Sequence, residues 1–371
     1  MKVTCERDKL LHGFQTAASV APTRSPKPIL QNVKLEVAAD CAMLSATDLE
    51  VGIRMEVPGF EVSATGSAVL PIARFGPILR ESSDEKLSLE SDGRSTLVRG
   101  QRSEFRLPAE NPDEFPAVAQ FKEEKYHELP ARFFREIVRR TAFATDNESS
   151  RYALGGVLLE MHEDRVVAVA TDGRRLAKQE GPAKAVGGHQ TTESTTIVPT
   201  RAMLLLERAL GDNEENIQIA ARGKDVLVRS GRSTIYSRLV EGRYPRWRDV
   251  FPRRENPLQI ELTVGPFYAA VRQAAIVSSE ERRGVDFTFG EGKVVLSCHG
   301  AEFGESRVEL PIAYDGPARP ITLDPRFVSD FLKVLNADQT FTLEMQDAES
   351  AAVCATEDGY SYVIMPLARD H

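Results

Sequence analysis

The sequence predicts an α+β fold made of three tandem copies of one domain, each with two helices and several antiparallel strands. Three observations predict it. Amphipathic stretches of one pattern recur at a period of about 125 residues, roughly a third of the 371-residue chain. A hydrophobic hairpin-like block ending in a small turn follows each of them. A short strand then runs through proline into a second helical stretch, and hairpins with alternating apolar residues close each unit.

The opening helix of each repeat is read from 5–22 (CERDKLLHGFQTAASVAP), 129–146 (LPARFFREIVRRTAFATD) and 262–279 (LTVGPFYAAVRQAAIVSS). The hairpin blocks are ILQNVKLEV with ATDLE at Asp48, YALGGVLLEM with ATDGR at Asp172, and GVDFTF with SCHGAE at Cys298. The second helices start near proline, in VLPIARFGPILRE at Pro71, IVPTRAMLLLERAL at Pro199 and TLDPRFVSDFLKVL at Pro325. Proline suits a first helical turn, where its missing N–H has no intrahelical partner to lose. The closing hairpins are TLVRGQRSEFRLP, DVLVRSGRSTIYSRLV and AAVCATEDGYSYVIMPL. Helices are therefore predicted over 7–20, 73–82, 131–143, 200–210, 267–277 and 324–335, and domains over 1–120, 121–252 and 253–371. Linkers rich in proline and charge fall near 111–128 and 251–259, whereas 181–194 reads as a long loop within the middle repeat.

With 42% hydrophobic residues, each unit can build a core without staples. The cysteines Cys5, Cys41, Cys298 and Cys354 stand far apart without a CxxC pair, which suggests neither a disulfide framework nor a zinc site and predicts buried thiols in a reducing compartment. The N-terminal MKVTCERDKL lacks an apolar signal core, and no run reaches the length of a membrane span, so a cytoplasmic location is expected.

A net charge of −8 argues superficially against nucleic acid, but phosphate affinity follows local surface charge. The six predicted helices together carry +7, leaving −15 for the rest. Within 131–143, Arg132, Arg135 and Arg139 recur at helical spacing, opposite Phe133, Phe134, Ile137 and Val138. Weaker versions place Arg201 with Arg208 against Leu204 and Leu205, and Arg326 with Lys333 against Phe327, Phe331 and Leu335. A solvated helix face accounts for any one of these rows. Their recurrence is what a phosphate-facing surface adds: a basic lining within an acidic shell would hold nucleic acid without reading bases.

No catalytic constellation assembles. The chain has no GxxxxGK[ST], GxSxG or HExxH, its acidic turn at 211–216 is not an EF-hand loop, and GEGKVV at Gly290 is not a phosphate loop. His12, His127, His162, His189, His299 and His371 are scattered, with no metal-ligand spacing, and no metal or cofactor is expected. Asp48 and Asp172 read as turn residues that accept backbone N–H bonds. Cys298 beside His299 is no nucleophile–base pair, because neighbours in a strand point to opposite faces.

Several segments in order resemble one family over essentially the whole chain: KVTCERDKLL, PILQNVKLEV, ATDLE, RYALGGVLLE, VAVATDGRRLA, IVPTRA, SRLVEGRYPRWRDVFP and YVIMPL. By these the chain resembles the bacterial beta sliding clamps, the processivity subunits of DNA polymerase III. The resemblance implies a head-to-tail homodimer, a ring of six similar domains with helices lining the hole, around duplex DNA. It implies DNA polymerase III catalytic subunit, an ATP-driven clamp loader, repair polymerases, mismatch repair proteins and ligase as partners, with no membrane. It also implies a function by topology, not catalysis, since a closed ring slides yet cannot step off sideways.

The resemblance further implies a pocket for partner peptides at Leu154, Thr171, Gly173, Arg174, Arg175, Leu176, Pro245, Val250, Phe327, Val363, Met365, Pro366 and Leu367. Gly173 would permit close approach and Met365 an adaptable wall. Without it, YVIMPL reads as a core edge strand. Arg174 stands where the best-known members carry histidine, and Phe327 where they carry tyrosine. For DNA, Arg24, Tyr152 and Arg201 align with family contacts beside the row Arg132, Arg135 and Arg139, while Ala153 replaces a second tyrosine. At the subunit interface, Phe105 with Arg74 and Arg102 would meet Ile276 and Val277 with Glu302 and Glu305, opposite charges favouring heterologous docking. The rival readings are a three-domain protein-binding scaffold without DNA and a hydrolase of unfamiliar site.

Overall fold

The structure is a computed structural model that describes all residues except 109, 147, 149–152, 192–194, 211–215, 253, 255–256, 280–282, 301–303 and 368–371. Among the described residues the α-helices are α1 (Arg7–Ala18), α2 (Ile72–Glu81), α3 (Ala131–Thr141), α4 (Thr200–Ala209), α5 (Val264–Ala274) and α6 (Pro325–Lys333). They fall two to a repeat. Only Pro325 occupies a first helical position, whereas Pro71 and Pro199 are the last residues of strands Gly66–Pro71 and Ile197–Pro199. Pro77 lies inside α2, where the pattern gave no sign of it.

The chain divides into two compact units: Met1–Phe134, Lys184–Gln190 and Arg201–Leu239 form the first, and Arg135–Ala183, Thr191–Thr200 and Val240–His371 the second. The division passes through the middle repeat, because that repeat shares its strands with both neighbours. In the first unit a nine-stranded antiparallel sheet joins Ser233–Arg238 of the middle repeat to Val51–Glu56 of the first, with Ile235 opposite Ile53. A five-stranded sheet completes that unit. In the second, an eight-stranded sheet joins Arg175–Pro182 to Tyr360–Ile364, with Leu176 opposite Val363, and a four-stranded sheet completes that unit.

The segment 181–194 is not one loop. Strand Arg175–Pro182 runs into it, and Lys184–Val186 pairs with Tyr126–Pro130, because backbone pairing overrides its weak local propensity. YVIMPL is not an edge either: Tyr360–Ile364 lies between two strands.

The cores follow the apolar periodicity. In α1, Leu10, Gly13, Phe14 and Ala17 are buried, and Phe14 meets Phe75 of α2 edge-on with ring centroids 5.0 Å apart. In the third repeat Phe341 touches both Phe267 of α5 and Phe331 of α6, at 5.8 and 5.2 Å. Such aromatic pairs add about 0.5–1.5 kcal/mol beyond their buried area. Cys5, Cys298 and Cys354 are buried free thiols, whereas Cys41 is only half-buried because it follows the turn residue Asp40. Burial pushes the thiol of Cys5 up to about 12.

Candidate functional site

Within the second unit, the tip of the hairpin between strands Arg165–Thr171 and Arg175–Pro182 meets the end of strand Tyr360–Ile364. The tip is set by local chemistry. Asp172 Oδ1 accepts the N–H groups of Arg174 and Arg175 at 2.9 and 3.0 Å. Thr171 donates its hydroxyl to the Arg175 carbonyl at 2.6 Å and accepts the Gly173 N–H at 3.1 Å. Gly173 has φ +86° with open space where a Cβ would stand, so it is the left-handed backbone that favours glycine there. The Met365 N–H then donates to the Arg174 carbonyl at 2.9 Å and ties the C-terminal segment to the tip.

A second arm comes from the short 3-10 helix Trp247–Val250. Its anchor is Glu160, a buried carboxylate that accepts from Trp247 Nε1 at 3.0 Å and from Arg248 Nη2 at 2.6 Å. That anchoring holds Pro245 and Val250 in place. A half-buried Pro245, an exposed Val250, an exposed Met365 and half-buried Pro366 and Leu367 are thus offered to solvent. Leu154, Leu176 and Val363 belong to the hydrophobic cluster beneath them, with Tyr244 and Trp247, and Leu176 and Val363 have no exposure. These residues support an apolar surface from below. A charge placed at Leu176 would therefore break the core before it reported on binding, and Met365 is the position that tests the surface.

Arg175 is the keystone of this region. Its guanidinium donates to Asp172 Oδ2 at 3.0 Å, Asp330 Oδ2 of α6 at 2.7 Å and the Phe143 carbonyl at 2.9 Å. It also stacks 4.5 Å from the Phe327 ring centroid. Burial opposes its charge, but Tyr362, Asp330 and Asp172 hold its pKa above the ordinary value. The polar cleft so formed has a volume of 430 Å³ and is lined by Thr145, Asp146, Asp172, Arg174, Arg175, Arg326, Phe327 and Asp330.

Of the cationic row on α3, Arg132 and Arg139 are exposed and Arg135 is half-buried, on the side away from Phe134, Ile137 and Val138. Phe133 is half-buried, at the border of that apolar face. Arg140, which the spacing did not single out, is buried: it pairs with Asp358 at 2.8 Å and donates to Gln179 at 2.8 Å. Leu204 corrects the reading of α4, since it is 41% exposed, while Leu205 is buried. Arg201 is committed within the first unit, to Asp48 Oδ2 at 2.5 Å and to the Val20 carbonyl at 2.9 Å. Asp48 also accepts the N–H groups of Glu50 and Val51, the turn role its motif predicts. Arg24 is exposed in the segment after α1. Tyr152 lies outside the described residues, and Ala153 is buried.

In the first unit, Phe105, 40% exposed, lines a cleft of 580 Å³ with Arg102, Gln101 and Ser103. The sequence reading missed the rest of that cleft, Pro77, Ile78, Glu81 and Ser82–Asp84, because α2 lies distant in the chain. Its charge is therefore mixed, not basic, and Arg74 stands exposed outside the lining. In the second unit Ile276 is 78% exposed, the barest large apolar residue among those described, beside a half-buried Val277. Glu305 is exposed and faces His299 at 3.9 Å, and Glu302 lies outside the described residues. Cys298 is buried and His299 exposed, as strand alternation requires.

Three family models match in tandem: the N-terminal, central and C-terminal domains of the DNA polymerase III beta subunit, over residues 1–119, 128–246 and 248–368. The chain is 30% identical to the beta sliding clamps of Pseudomonas putida KT2440 and of Escherichia coli K12, covering 99% of this chain and 100% of each relative. Among solved structures, the Pseudomonas aeruginosa sliding clamp bound to griselimycin superposes with a TM-score of 0.92 at 27% identity, covering 100% of both chains. The Bacillus subtilis sliding clamp gives 0.91 at 22% identity, also over 100% of both, and supports the fold alone.

Proposed function

This chain belongs to the DNA polymerase III beta subunit family, the beta sliding clamps, and we propose that two copies close head to tail into a six-domain ring around duplex DNA. Its function is that of a DNA sliding clamp. The observation that carries this is the tandem match of three clamp domains over nearly the full length, on a fold whose sheets run from one repeat into the next.

In the mechanism we infer, the grip is topological. Exposed arginines on the helices, Arg132 and Arg139 among them, hold phosphates without reading bases, so the contact is weak, salt-sensitive and mobile along the duplex. The exposed Ile276 with Val277 of one copy docks in the cleft of Phe105 and Ile78 of the other, an apolar contact ringed by charge. A heterologous contact of this kind closes only if the rotation per repeat returns on itself. The apolar surface of Met365, Val250, Pro245 and Leu367 takes a peptide from the polymerase catalytic subunit, and the same surface serves the clamp loader and the repair and ligation proteins in turn. Tethering raises the polymerase's effective concentration at the primer end. No step of this needs catalysis by the chain, and replication places it in the cytoplasm. The described residues contain no helix long and apolar enough to cross a membrane.

A nicked circular plasmid tests the ring. Loaded protein should stay on the circle through gel filtration and leave once the DNA is linearised. Retention that linearisation does not change would overturn encirclement and favour a binding scaffold.

A further inference from the structure

The two places where one repeat's sheet joins the next use the same backbone and different arginines. In the first unit the Arg238 N–H donates to the Glu50 carbonyl at 2.9 Å, as the Met365 N–H does to Arg174 in the second. The register that sets Ile364 opposite Arg175 sets Ser237 opposite Val51. Val51 therefore occupies the place of Arg175. Both turns carry the Asp that caps them, Asp48 and Asp172. Each also faces a helix with an arginine as its second residue, Arg201 of α4 and Arg326 of α6.

At the first join, where the turn supplies valine, the helix arginine does the bridging. Arg201 reaches Asp48 Oδ2 and the Val20 carbonyl, with its side chain 54% exposed. At the second join the turn's own Arg175 takes the corresponding partners, Asp172 Oδ2 and the Phe143 carbonyl, with its side chain only 10% exposed. Arg326 turns back instead onto Asp324, through Nε to Oδ1 at 3.1 Å and Nη2 to Oδ2 at 2.7 Å. Asp324 is the residue before α6, it is buried, and it also accepts the Arg326 backbone N–H at 2.9 Å. The residue before α4 is Pro199, which has no carboxylate to hold Arg201.

We propose that Asp324 is a positioning residue for the partner-binding groove: by holding Arg326 back it keeps the cleft between the Asp172 turn and α6 open to a peptide. Arg326, Asp172 and Asp330 line one cleft, so a released guanidinium has carboxylates to turn to, as Arg201 has Asp48. The cleft at the second join is open because its bridge is buried and its exposed arginine is restrained. The inference rests on the reading of Met365 and its neighbours as a peptide surface.

The test uses the full chain and a fluorescein-labelled hexapeptide of apolar residues, chosen to match the exposed Met365 and Val250, read by anisotropy. Asp324→Asn removes the charge that holds Arg326 but keeps an N-cap of equal quality. It should weaken the peptide about fivefold, the scale of one exposed ion pair closing over the cleft. Adding Arg326→Ala to the same chain should restore parental affinity, which loss of a helix cap alone cannot do. Asp324→Ser, another good cap without charge, repeats the measurement if the first variant folds poorly. Parental affinity in both Asp324 variants, or weakening that Arg326→Ala leaves in place, overturns the proposal. A parent chain that takes up no peptide while Met365→Glu behaves identically overturns the groove reading itself, and this inference with it.

Discussion

His127 and His189 are 62 residues apart in the chain and meet in the first unit with their Nδ1 atoms 2.7 Å apart. Both rings are buried. One ring must donate and the other accept, so a second proton on the pair would set two N–H groups head to head. Burial lowers the pKa of His189 from its ordinary 6.5, against the backbone bond to Ala221 and the charge of Glu123, which raise it. Glu123 is itself paired with Arg222, and Glu128 and Lys184 are on the strands around His127. Because the folded state resists the proton, the unfolded chain binds more of it below 6.5. The stability from the neutral pair is intact above that value and is lost as pH falls through it. Thermal melts from about pH 7.5 to about pH 5 should therefore fall more steeply for the parent than for His189→Gln. Equal slopes would mean that the folded pair takes up protons as readily as the unfolded chain does, and would overturn this reading. Nothing in the scattered positions of six histidines announced this contact.

At the scale of the element, α3 shows what periodicity reads well and what it misses. The spacing placed Arg132 and Arg139 on an exposed face and Phe134, Ile137 and Val138 in the core. It could not tell that Arg140 would be drawn inward by Asp358, whose pKa burial raises but the bonds from Arg140 and Thr356, with the Arg140 charge, together bring below its ordinary value. The four arginines are alike in sequence and differ in what the distant chain sets beside them. Reversing Arg132, Arg135 and Arg139 to Glu should shorten retention on nicked circles and flatten the salt dependence of DNA binding by about one phosphate contact per residue lost. Unchanged retention at low salt would turn α3 away from the DNA. On α4 the same reasoning erred at Leu204, because a helix of ten residues has room for an apolar side chain that no core reaches.

For the whole molecule, closure depends on a second copy. Three domains in a chain of 41.0 kDa cannot encircle a duplex alone, so the parent should sediment at twice that mass. Ile276→Glu places a charge on the most exposed apolar residue of the third repeat and should shift the species to 41.0 kDa without changing the melt. A variant that stays at twice the mass would put the interface elsewhere. With the Phe105 cleft as the proposed interface, its mixed charge, Glu81 and Asp84 beside Arg102, should make the salt dependence of the dimer smaller than opposed single-sign patches would give.

The sequence by itself determined the triplication, the six helices, the alternating strands and the capped Asp turns, since each depends on residues a few positions apart. It also supplied the family markers from which the groove residues and the DNA arginines were read. Tertiary structure alone decided which of those residues are buried and which are surface, so that Leu176 lies in the core while Met365 is exposed at the proposed groove. It alone decided that Arg201 spans one join and Arg175 the other, and that His127 meets His189. Those outcomes hang on sheet register and on carboxylates or rings far away in the chain. A periodic pattern fixes the face a side chain occupies, but its partner is set only when the strands pair.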